Sequence, residues 1–189
     1  MIRGESVNLR AVERTDADDL HGWLNDPTTM HGWGVGDATL SSDAVRRRIE
    51  GWIADEELDG RPAGLVIETL DGDAVGLVVL GAYEREHRTV EISMLIGRPE
   101  QWGRGLGSDA LGALLDVCFD QWDLHRVSLR CEAFNGRAER LYRRHGFRHE
   151  GTFREATYLD GRRWDVLAFG LLATDRETRQ GHGEAGTGS

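Results

Sequence analysis

Three alternating glycines at one junction limit the possible folds of this chain more than any other feature. Gly103, Gly105 and Gly107 lie where a β-forming run, 89–96, has ended and the longest helical pattern, 106–122, begins. Glycine lets the backbone turn sharply and lets a ligand approach without a Cβ atom in the way. The first amides of a helix have no partner within it, and with the helix dipole they attract anions. The junction therefore predicts a phosphate-binding turn between a strand and a helix.

A glycine run of this kind also has other interpretations. A dinucleotide-binding fingerprint needs the run after an early strand and an acid about 20 residues later, and a P-loop needs Gly-Lys-Ser/Thr. Neither pattern is present, and all 23 basic residues are arginine, so no lysine could complete a P-loop. A purely structural turn remains the alternative to a phosphate site.

The composition fits a single folded domain with little attraction for polyanions. The chain has 189 residues, 39% of them hydrophobic, with 33 acidic and 23 basic side chains and a net charge of −10. One ordinary domain has this length. A nucleic-acid binder needs a basic stripe to neutralise phosphates, so the balance argues against nucleic acid and favours cationic substrates.

The cysteines and the amino terminus bear on the compartment. Cys118 and Cys131 lie in apolar stretches without a CxxC pattern, which predicts buried, reduced thiols rather than catalytic ones. Residues 1–6 contain no apolar leader, and no apolar run approaches the ~18 residues of a membrane span. We expect a cytoplasmic protein without a membrane partner.

Periodicity and turn residues divide the chain into helices and strands. We expect four helices: one is capped by Thr15 and ends near 25, one is capped by Ser42-Asp43 and covers 44–57, and the other two cover 106–122 and 136–145. We expect seven strands, at 7–12, 63–70, 74–82, 89–96, 125–131, 147–158 and 162–172. Asp71-Gly72 and Asp160-Gly161 are hairpin turns, and 28–40 is a loop. This order predicts an α/β domain over 1–173 with a mixed sheet, and a disordered tail over 174–189.

Several polar residues allow both a structural and a chemical interpretation. Glu91 is unusual inside a strand; it either faces solvent, forms an ion pair with Arg88 or Arg130, or acts as a general base. Asn135 precedes a helix and is a preferred N-cap. Tyr142 on that helix fits a half-buried packing residue. The histidines lack carboxylate partners at readable spacing, so we expect no metal site.

Long stretches of the chain resemble one enzyme family. They are Glu91-Ile-Ser-Met-Leu-Ile-Gly-Arg-Pro-Glu-Gln-Trp-Gly-Arg-Gly-Leu-Gly-Ser108, Leu124-His-Arg-Val127, Glu132-Ala-Phe-Asn-Gly-Arg-Ala-Glu-Arg-Leu-Tyr-Arg-Arg-His-Gly-Phe147 and 151–166. Between 7 and 172 the sequence resembles the GNAT superfamily of acyl-CoA-dependent N-acyltransferases, especially ribosomal-protein N-terminal acetyltransferases and spermidine acetyltransferases. The resemblance implies a mostly antiparallel sheet of about seven strands. Its fourth and fifth strands splay apart around the pantetheine arm of CoA.

The resemblance also implies how acetyl-CoA, the co-substrate, is bound. The diphosphate would lie on the amides of Arg104, Gly105, Gly107 and Ser108, and Asn135 would bond the pantetheine arm. A strand amide near Leu95 or Ile96 would bond the acyl carbonyl oxygen. The arginines and the histidine between 140 and 148 would bind the 3′-phosphate or face solvent. One departure is Trp102, where many relatives have Gln or Arg, which puts a side-chain role for Gln101 in doubt.

The implied reaction is direct acetyl transfer to a primary amine, with Glu91 as the base and Tyr142 as the acid that protonates the departing thiolate. The loop 28–40, the second helix and the hairpin 153–164 would form the acceptor wall, with acids such as Asp26, Asp37 or Glu155. A protein N-terminus, a polyamine and an aminoglycoside all remain open as acceptors, and the family makes a homodimer an expectation. A non-catalytic CoA sensor and a nucleotide-dependent enzyme are the rival functions.

Overall fold

A computed structural model describes residues 1–36, 39–54 and 60–176. Eight strands form one sheet in the order β1-β2-β3-β4-β5-β6-β8-β7. The strands are β1 (Ile2–Arg3), β2 (Val7–Ala11), β3 (Gly64–Thr69), β4 (Ala74–Glu84), β5 (Thr89–Ile96), β6 (Arg126–Glu132), β7 (Arg148–Leu159) and β8 (Arg162–Leu172); the helices are α1 (Ala17–Asn25), α2 (Pro27–His31), α3 (Ser42–Ala54), α4 (Leu106–Asp116) and α5 (Gly136–Arg144). A π-helical segment, Val117–Gln121, continues α4.

The two faces of the sheet bury separate apolar clusters. Leu111 and Leu114 of α4 pack with Val90 and Ile92 of β5 on one face. The helices α1, α2 and α3 cover the other face, where Leu95 of β5 joins the cluster. Successive strand residues point to opposite faces, which explains why neighbours on β5 belong to different clusters. The sheet thus separates an α4–α5 side from an α1–α3 side.

The parallel pair β5–β6 is short, and the two strands then part. Their register covers only Thr89 to Glu91 on β5 against Arg126 to Ser128 on β6. Beyond it, β5 stays paired with β4 as far as Ile96, and β6 stays paired with β8 as far as Glu132. The expected splay is confirmed, since these are the fourth and fifth strands of the predicted seven. The additional strand is the two-residue β1.

Two local predictions near the start of the chain were inaccurate. The expected loop 28–40 contains α2, which begins at Pro27 and is capped by Asp26, whose carboxylate accepts the Thr29 amide at 2.7 Å. A five-residue helix is too short to show an apolar period. At α3, the hydroxyl of Ser41 accepts the Ala44 amide at 3.2 Å, so the cap lies one residue before the predicted pair. The predicted end of this helix at 55–57 lies outside the described residues.

The first residues of the predicted tail are helical and packed. Residues 173–176 are helical. Arg176 donates to the Leu115 carbonyl at 2.8 Å, and Asp175 forms an ion pair with Arg148 at 2.6 Å. These contacts attach 174–176 to the domain. Residues 177–189 lie outside the described ranges, where the disordered tail stays a prediction.

A buried carboxylate stabilises the chain entry into α1. Asp16 is 5% exposed and accepts two hydrogen bonds from Arg10, at 2.7 and 2.9 Å, and one from the Glu13 amide at 2.7 Å. Arg10 also donates to Glu68 of β3 at 2.8 Å. Burial raises the pKa of Asp16, but the hydrogen bonds from Arg10 and Glu13 outweigh it and hold the pKa below its ordinary value. The ionised form of Asp16 therefore stabilises the fold.

We predict that Asp16→Asn lowers the free energy of unfolding at pH 7 by about 2 kcal/mol, because it removes the carboxylate that takes two hydrogen bonds from Arg10 and leaves Arg10 paired with Glu68 alone. A depressed folded pKa contributes stability above the unfolded value, about 3.9, and loses it as pH falls through the folded value. Urea unfolding should therefore show the difference from wild type narrowing below about pH 4.

The control is Asp43→Asn, which removes an exposed ion pair with Arg46. Its effect should stay under about 0.5 kcal/mol. Equal losses in the two variants would contradict the role given to Asp16.

Candidate active site

A cavity of about 390 Å³ opens where β5 and β6 part. Its lining comes from the end of β5, the turn before α4, the first turns of α5 and the α2 region. Met94, Ile96, Gly105, Asn135 and Tyr142 each contribute. The gap between the two strands therefore connects the α4–α5 side of the sheet to the residues around α2.

The glycine turn presents free amides to this cavity. Gly103 and Gly105 have φ values of 77° and 87°, and a Cβ atom at either would meet nothing within 4 Å. The amides of Leu106 and Gly107 have no backbone acceptor in the described chain, whereas the Ser108 amide already donates to the Gly105 carbonyl at 2.9 Å. The backbone at Gly103 and Gly105 thus has the open, left-handed conformation expected of an anion-binding turn. Of the predicted amides, that of Ser108 is occupied, whereas those of Arg104, Gly105 and Gly107 have no backbone acceptor in the described chain, and the unpredicted amide of Leu106 is equally free.

The side chain of Ser108, for which no role was predicted, also reaches the cavity. Its hydroxyl lies 2.9 Å from Nε2 of His145 and lines the cavity. Arg104, the predicted cation, donates to Gln101 at 2.7 Å and is exposed. Gln101 itself lines the cavity. The side chain of Gln101, whose role the sequence put in doubt, therefore lies at the site and accepts a hydrogen bond from Arg104.

Three arginines on one face of α5 supply the positive charge of the cavity. Arg137, Arg140 and Arg144 all line it. Burial lowers the pKa of Arg137, whose guanidinium lies 3.8 Å from the centre of the Trp102 ring. The sequence analysis missed Arg137, although positions 137, 140 and 144 have the i, i+3, i+7 spacing of one helix face.

The rest of the predicted basic cluster, 140–148, points elsewhere. Arg143 pairs with Glu139 at 2.9 Å, and Arg148 pairs with Asp175. Arg143 and Arg148 are therefore ion-paired at the surface, and binding of the 3′-phosphate by Arg140 and Arg144 stays a prediction.

The exposed edge of β5 carries backbone groups that face the cleft. The Gly97 amide donates to Val75 of β4 at 2.9 Å, and strand residues alternate in the direction of their backbone groups. The Leu95 amide is therefore directed at β4, while those of Met94 and Ile96 face the cleft. Of the two strand amides predicted to bond an acyl oxygen, only that of Ile96 is placed to do so.

Two tryptophans hold the carbonyls of that same edge. The indole N–H of Trp33 donates to the Met94 carbonyl at 3.1 Å, and that of Trp102 donates to the Ile96 carbonyl at 2.8 Å. One indole comes from the loop after α2 and the other from the turn before α4. Trp102, the residue that departs from the family pattern, thus donates a hydrogen bond to the last carbonyl of β5 and stacks with Arg137.

Both polar groups of the Asn135 side chain form hydrogen bonds. Its carbonyl oxygen accepts the Ala138 amide at 3.1 Å, which confirms the predicted N-cap of α5. Its NH₂ group donates to the Gly32 carbonyl at 2.8 Å and so ties α5 to the loop after α2. A bond to a pantetheine arm stays a prediction.

Tyr142 is both a packing residue and a cavity residue. It is 6% exposed, and its ring lies 6.0 Å from that of Phe147 and 5.9 Å from that of Phe169. Burial, and then the charges of Cys131 and Glu132, raise the pKa of Tyr142 well above its ordinary value. The phenol is therefore protonated throughout the neutral range.

Glu91 is ion-paired. Its carboxylate lies 3.1 Å from Arg130, one of the two predicted partners, and Glu91 is absent from the described lining of the cavity. Of the acids predicted for the acceptor wall, Asp26 caps α2, Glu155 is exposed, and Asp37 lies outside the described residues.

Both cysteines are buried free thiols. Burial raises the pKa values of Cys118 and Cys131 to about 12, so both remain protonated thiols. This confirms the prediction of buried thiols. Within the described ranges, no group of three His, Cys, Asp or Glu side chains is arranged to hold a metal ion.

Comparison with known proteins assigns this architecture to a family. A family model described as an acetyltransferase (GNAT) domain matches residues 6–148. Spermidine N(1)-acetyltransferase of Vibrio cholerae serotype O1 is 29% identical over 166 residues, 88% of this chain and 92% of that protein. Putative ribosomal N-acetyltransferase YdaF of Bacillus subtilis is 29% identical over 177 residues, 92% of this chain and 94% of that protein. The crystal structure of the Vibrio cholerae spermidine N-acetyltransferase with CoA and spermine aligns with a TM-score of 0.79 and 28% identity, over 90% of this chain and 97% of that one.

The chain belongs to the GNAT acetyltransferases, enzymes that use acetyl-CoA to acetylate amines. The predicted family, mixed α/β fold and reaction class are confirmed. In the part of the chain that the structure describes, no helix is both long and apolar enough to cross a membrane.

We predict that Gly105→Ala weakens CoA binding at least about tenfold, or 1.4 kcal/mol, because the methyl group enters the open space of the turn. The left-handed backbone at residue 105 also costs an alanine about 1 kcal/mol of stability. Isothermal titration with CoA and urea unfolding measure the two effects separately.

Gly72→Ala is the matched control. Gly72 has a φ of 91° and equally open surroundings, but it lies in the β3–β4 turn. It should lose similar stability and retain full CoA affinity. Unchanged CoA affinity in Gly105→Ala would show that the turn is only structural.

Proposed function

We propose that acetyl-CoA lies in the gap between β5 and β6, and that a protonated primary amine reaches its thioester from the α1–α3 side of the sheet. The observation that carries this proposal is the parting of the two strands after Glu91, which leaves a cavity with free backbone amides along one wall. The diphosphate then lies on the amides of Leu106 and Gly107, and Arg137 and its two neighbours on the helix face the phosphates.

The chemical step is a direct attack. A carboxylate first removes one proton from the ammonium group; the neutral amine nitrogen then bonds to the thioester carbonyl carbon, and the carbon–sulfur bond breaks as the tetrahedral intermediate collapses. The Ile96 amide, which faces the cleft, donates to the carbonyl oxygen as negative charge develops; a donor of this kind is worth about 3 kcal/mol. Tyr142 donates its proton to the thiolate, and the phenolate regains a proton from the nitrogen that has just been acylated.

The acceptor wall is built by the loop after α2 and the β7–β8 hairpin. His31 and Asp160 join the two segments at 3.0 Å, and Gly36 lies against Leu159. A net charge of −10 favours cationic acceptors. We propose a primary amine of a protein N-terminus, a polyamine or an aminoglycoside as the acceptor class, and a homodimer as the assembly.

The test is release of free CoA thiol from acetyl-CoA in the presence of an amine panel that contains spermidine, an aminoglycoside and a peptide with a free N-terminus. Turnover with at least one amine supports the proposal and identifies the acceptor. CoA binding without turnover of any amine would favour the non-catalytic sensor. Thermal stabilisation by ADP equal to that by CoA would favour a nucleotide-dependent enzyme.

We predict that Tyr142→Phe lowers kcat about 100-fold or more, the usual contribution of a positioned acid, and leaves the Kd for acetyl-CoA within about twofold. The phenyl ring keeps its contacts with Phe147 and Phe169, so only the hydroxyl is lost. Single-turnover kinetics and titration calorimetry measure the two quantities. Tyr83→Phe, at a tyrosine of β4 that is absent from the described lining of the cavity, should leave both unchanged. An unchanged kcat in Tyr142→Phe removes the hydroxyl from the mechanism.

A further inference from the structure

We infer that Glu132 is the carboxylate that binds the ammonium group of the acceptor and removes its proton; this rests on the proposed function. Glu132 is the last residue of β6, the strand across the gap from β5, and like Glu91 it lies outside the described lining of the cavity. It was quoted within the family motif but given no role by the sequence.

Glu132 lies beside the loop after α2, which borders the cavity through Gly32 and Trp33. Its side chain packs against Gly34, so closely that a Cβ atom at that position would collide with the carboxylate. Its carbonyl accepts the Asn135 amide at 2.8 Å, and Asn135 in turn bonds Gly32. The neighbouring Trp33 lines the cavity. Glu132 is thus joined to both elements that border the gap on that side.

The register of the sheet places aromatic rings beside this carboxylate. Glu132 is paired with Val166 of β8, so their side chains share a face, and Trp164 lies two residues further along the same face. Phe134 contacts Trp164 at 4.8 Å between ring centres and His31 at 5.0 Å. Aromatic rings next to a carboxylate suit a desolvated alkylammonium group. The surroundings therefore match the acceptor chemistry.

The charge of Glu132 is uncompensated in the free enzyme. Within the described ranges it has no ion-pair partner, whereas Glu91 is neutralised by Arg130. Burial raises the pKa of Glu132 above its ordinary value, so this carboxylate accepts a proton more readily than an ordinary glutamate does. Its charge also contributes to the raised pKa of Tyr142, which shows that the two groups interact electrostatically.

Every proton transferred in this step has a donor and an acceptor. The ammonium nitrogen gives one proton to the Glu132 carboxylate and becomes a neutral amine. That amine forms the carbon–nitrogen bond and expels the thiolate, which takes the Tyr142 proton. The acylated nitrogen returns its surplus proton to the Tyr142 phenolate, and the Glu132 carboxylic acid releases its proton to solvent before the next turnover.

The experiment compares Glu132→Gln with wild type on two acceptors. One is the aliphatic amine with the highest turnover in the panel, and the other is an aniline-type amine that is already neutral at pH 7. Glu132→Gln should reduce kcat/KM for the aliphatic amine about 100-fold and for the aromatic amine less than about threefold, because only the first needs a base before attack. Its kcat/KM for the aliphatic amine should then rise about tenfold per pH unit up to the pKa of that amine.

Glu139→Gln is the matched control, because Glu139 lies on α5 in an ion pair with Arg143 and should leave both rates unchanged. Equal losses on the two acceptors in Glu132→Gln would overturn the proposal, since a structural role slows both. A selective loss in Glu91→Gln with none in Glu132→Gln would overturn it in favour of Glu91. Titration with CoA is run on each variant; absent CoA binding in the wild type would instead count against the proposed function.

Discussion

The structure depends on the early end of pairing between β5 and β6. Backbone amides and carbonyls without partners are costly inside a protein, so a sheet opens in its interior only where something else satisfies them. On β5 the carbonyls of Met94 and Ile96 are satisfied by indole N–H groups, and the amides of the same residues remain directed into the gap. The unpaired amides match the carbonyl oxygens of a thin, amide-containing ligand. The proposed binding of the pantetheine arm and the proposed stabilisation of the oxyanion both depend on that opening.

The sheet also separates the two substrates by charge. On the α4–α5 side, Arg137, Arg140 and Arg144 face the glycine turn, which suits a polyphosphate. On the opposite side, the carboxylate of Glu132 lies against Gly34 of the loop after α2, and its negative charge suits a cation. Only the gap between the strands connects these two environments. An acidic chain can therefore bind a strongly anionic cofactor, because its positive charge is concentrated on one helix face rather than spread over the surface.

Most of the fold followed from local sequence signals, and part of the site did not. β5 and β8 were predicted with the observed boundaries, since apolar periodicity and hairpin glycines are local features. The short helix α2 was missed because five residues show no period. The free amide of Leu106 and the occupied one of Ser108 depend on how the first turn of α4 forms, which the glycine pattern leaves open. Arg137 carried a readable signal, its spacing with Arg140 and Arg144. The pairing of Glu91 with Arg130 was one of two stated alternatives, but the contact of Glu132 with Gly34 joins residues almost 100 positions apart, and no local pattern encodes it.

The two indoles on β5 have a consequence for the enzyme before it meets any cofactor. An open strand edge in the middle of a sheet is a template for a stray peptide or another copy of the chain, which could add itself as an extra strand. Trp33 and Trp102 occupy the acceptor positions of that template from opposite ends, and their bulk restricts access to it. Without a bound cofactor, the enzyme therefore keeps an unpaired edge on β5 that a narrow, flexible molecule can reach and that a polypeptide cannot join as a further strand.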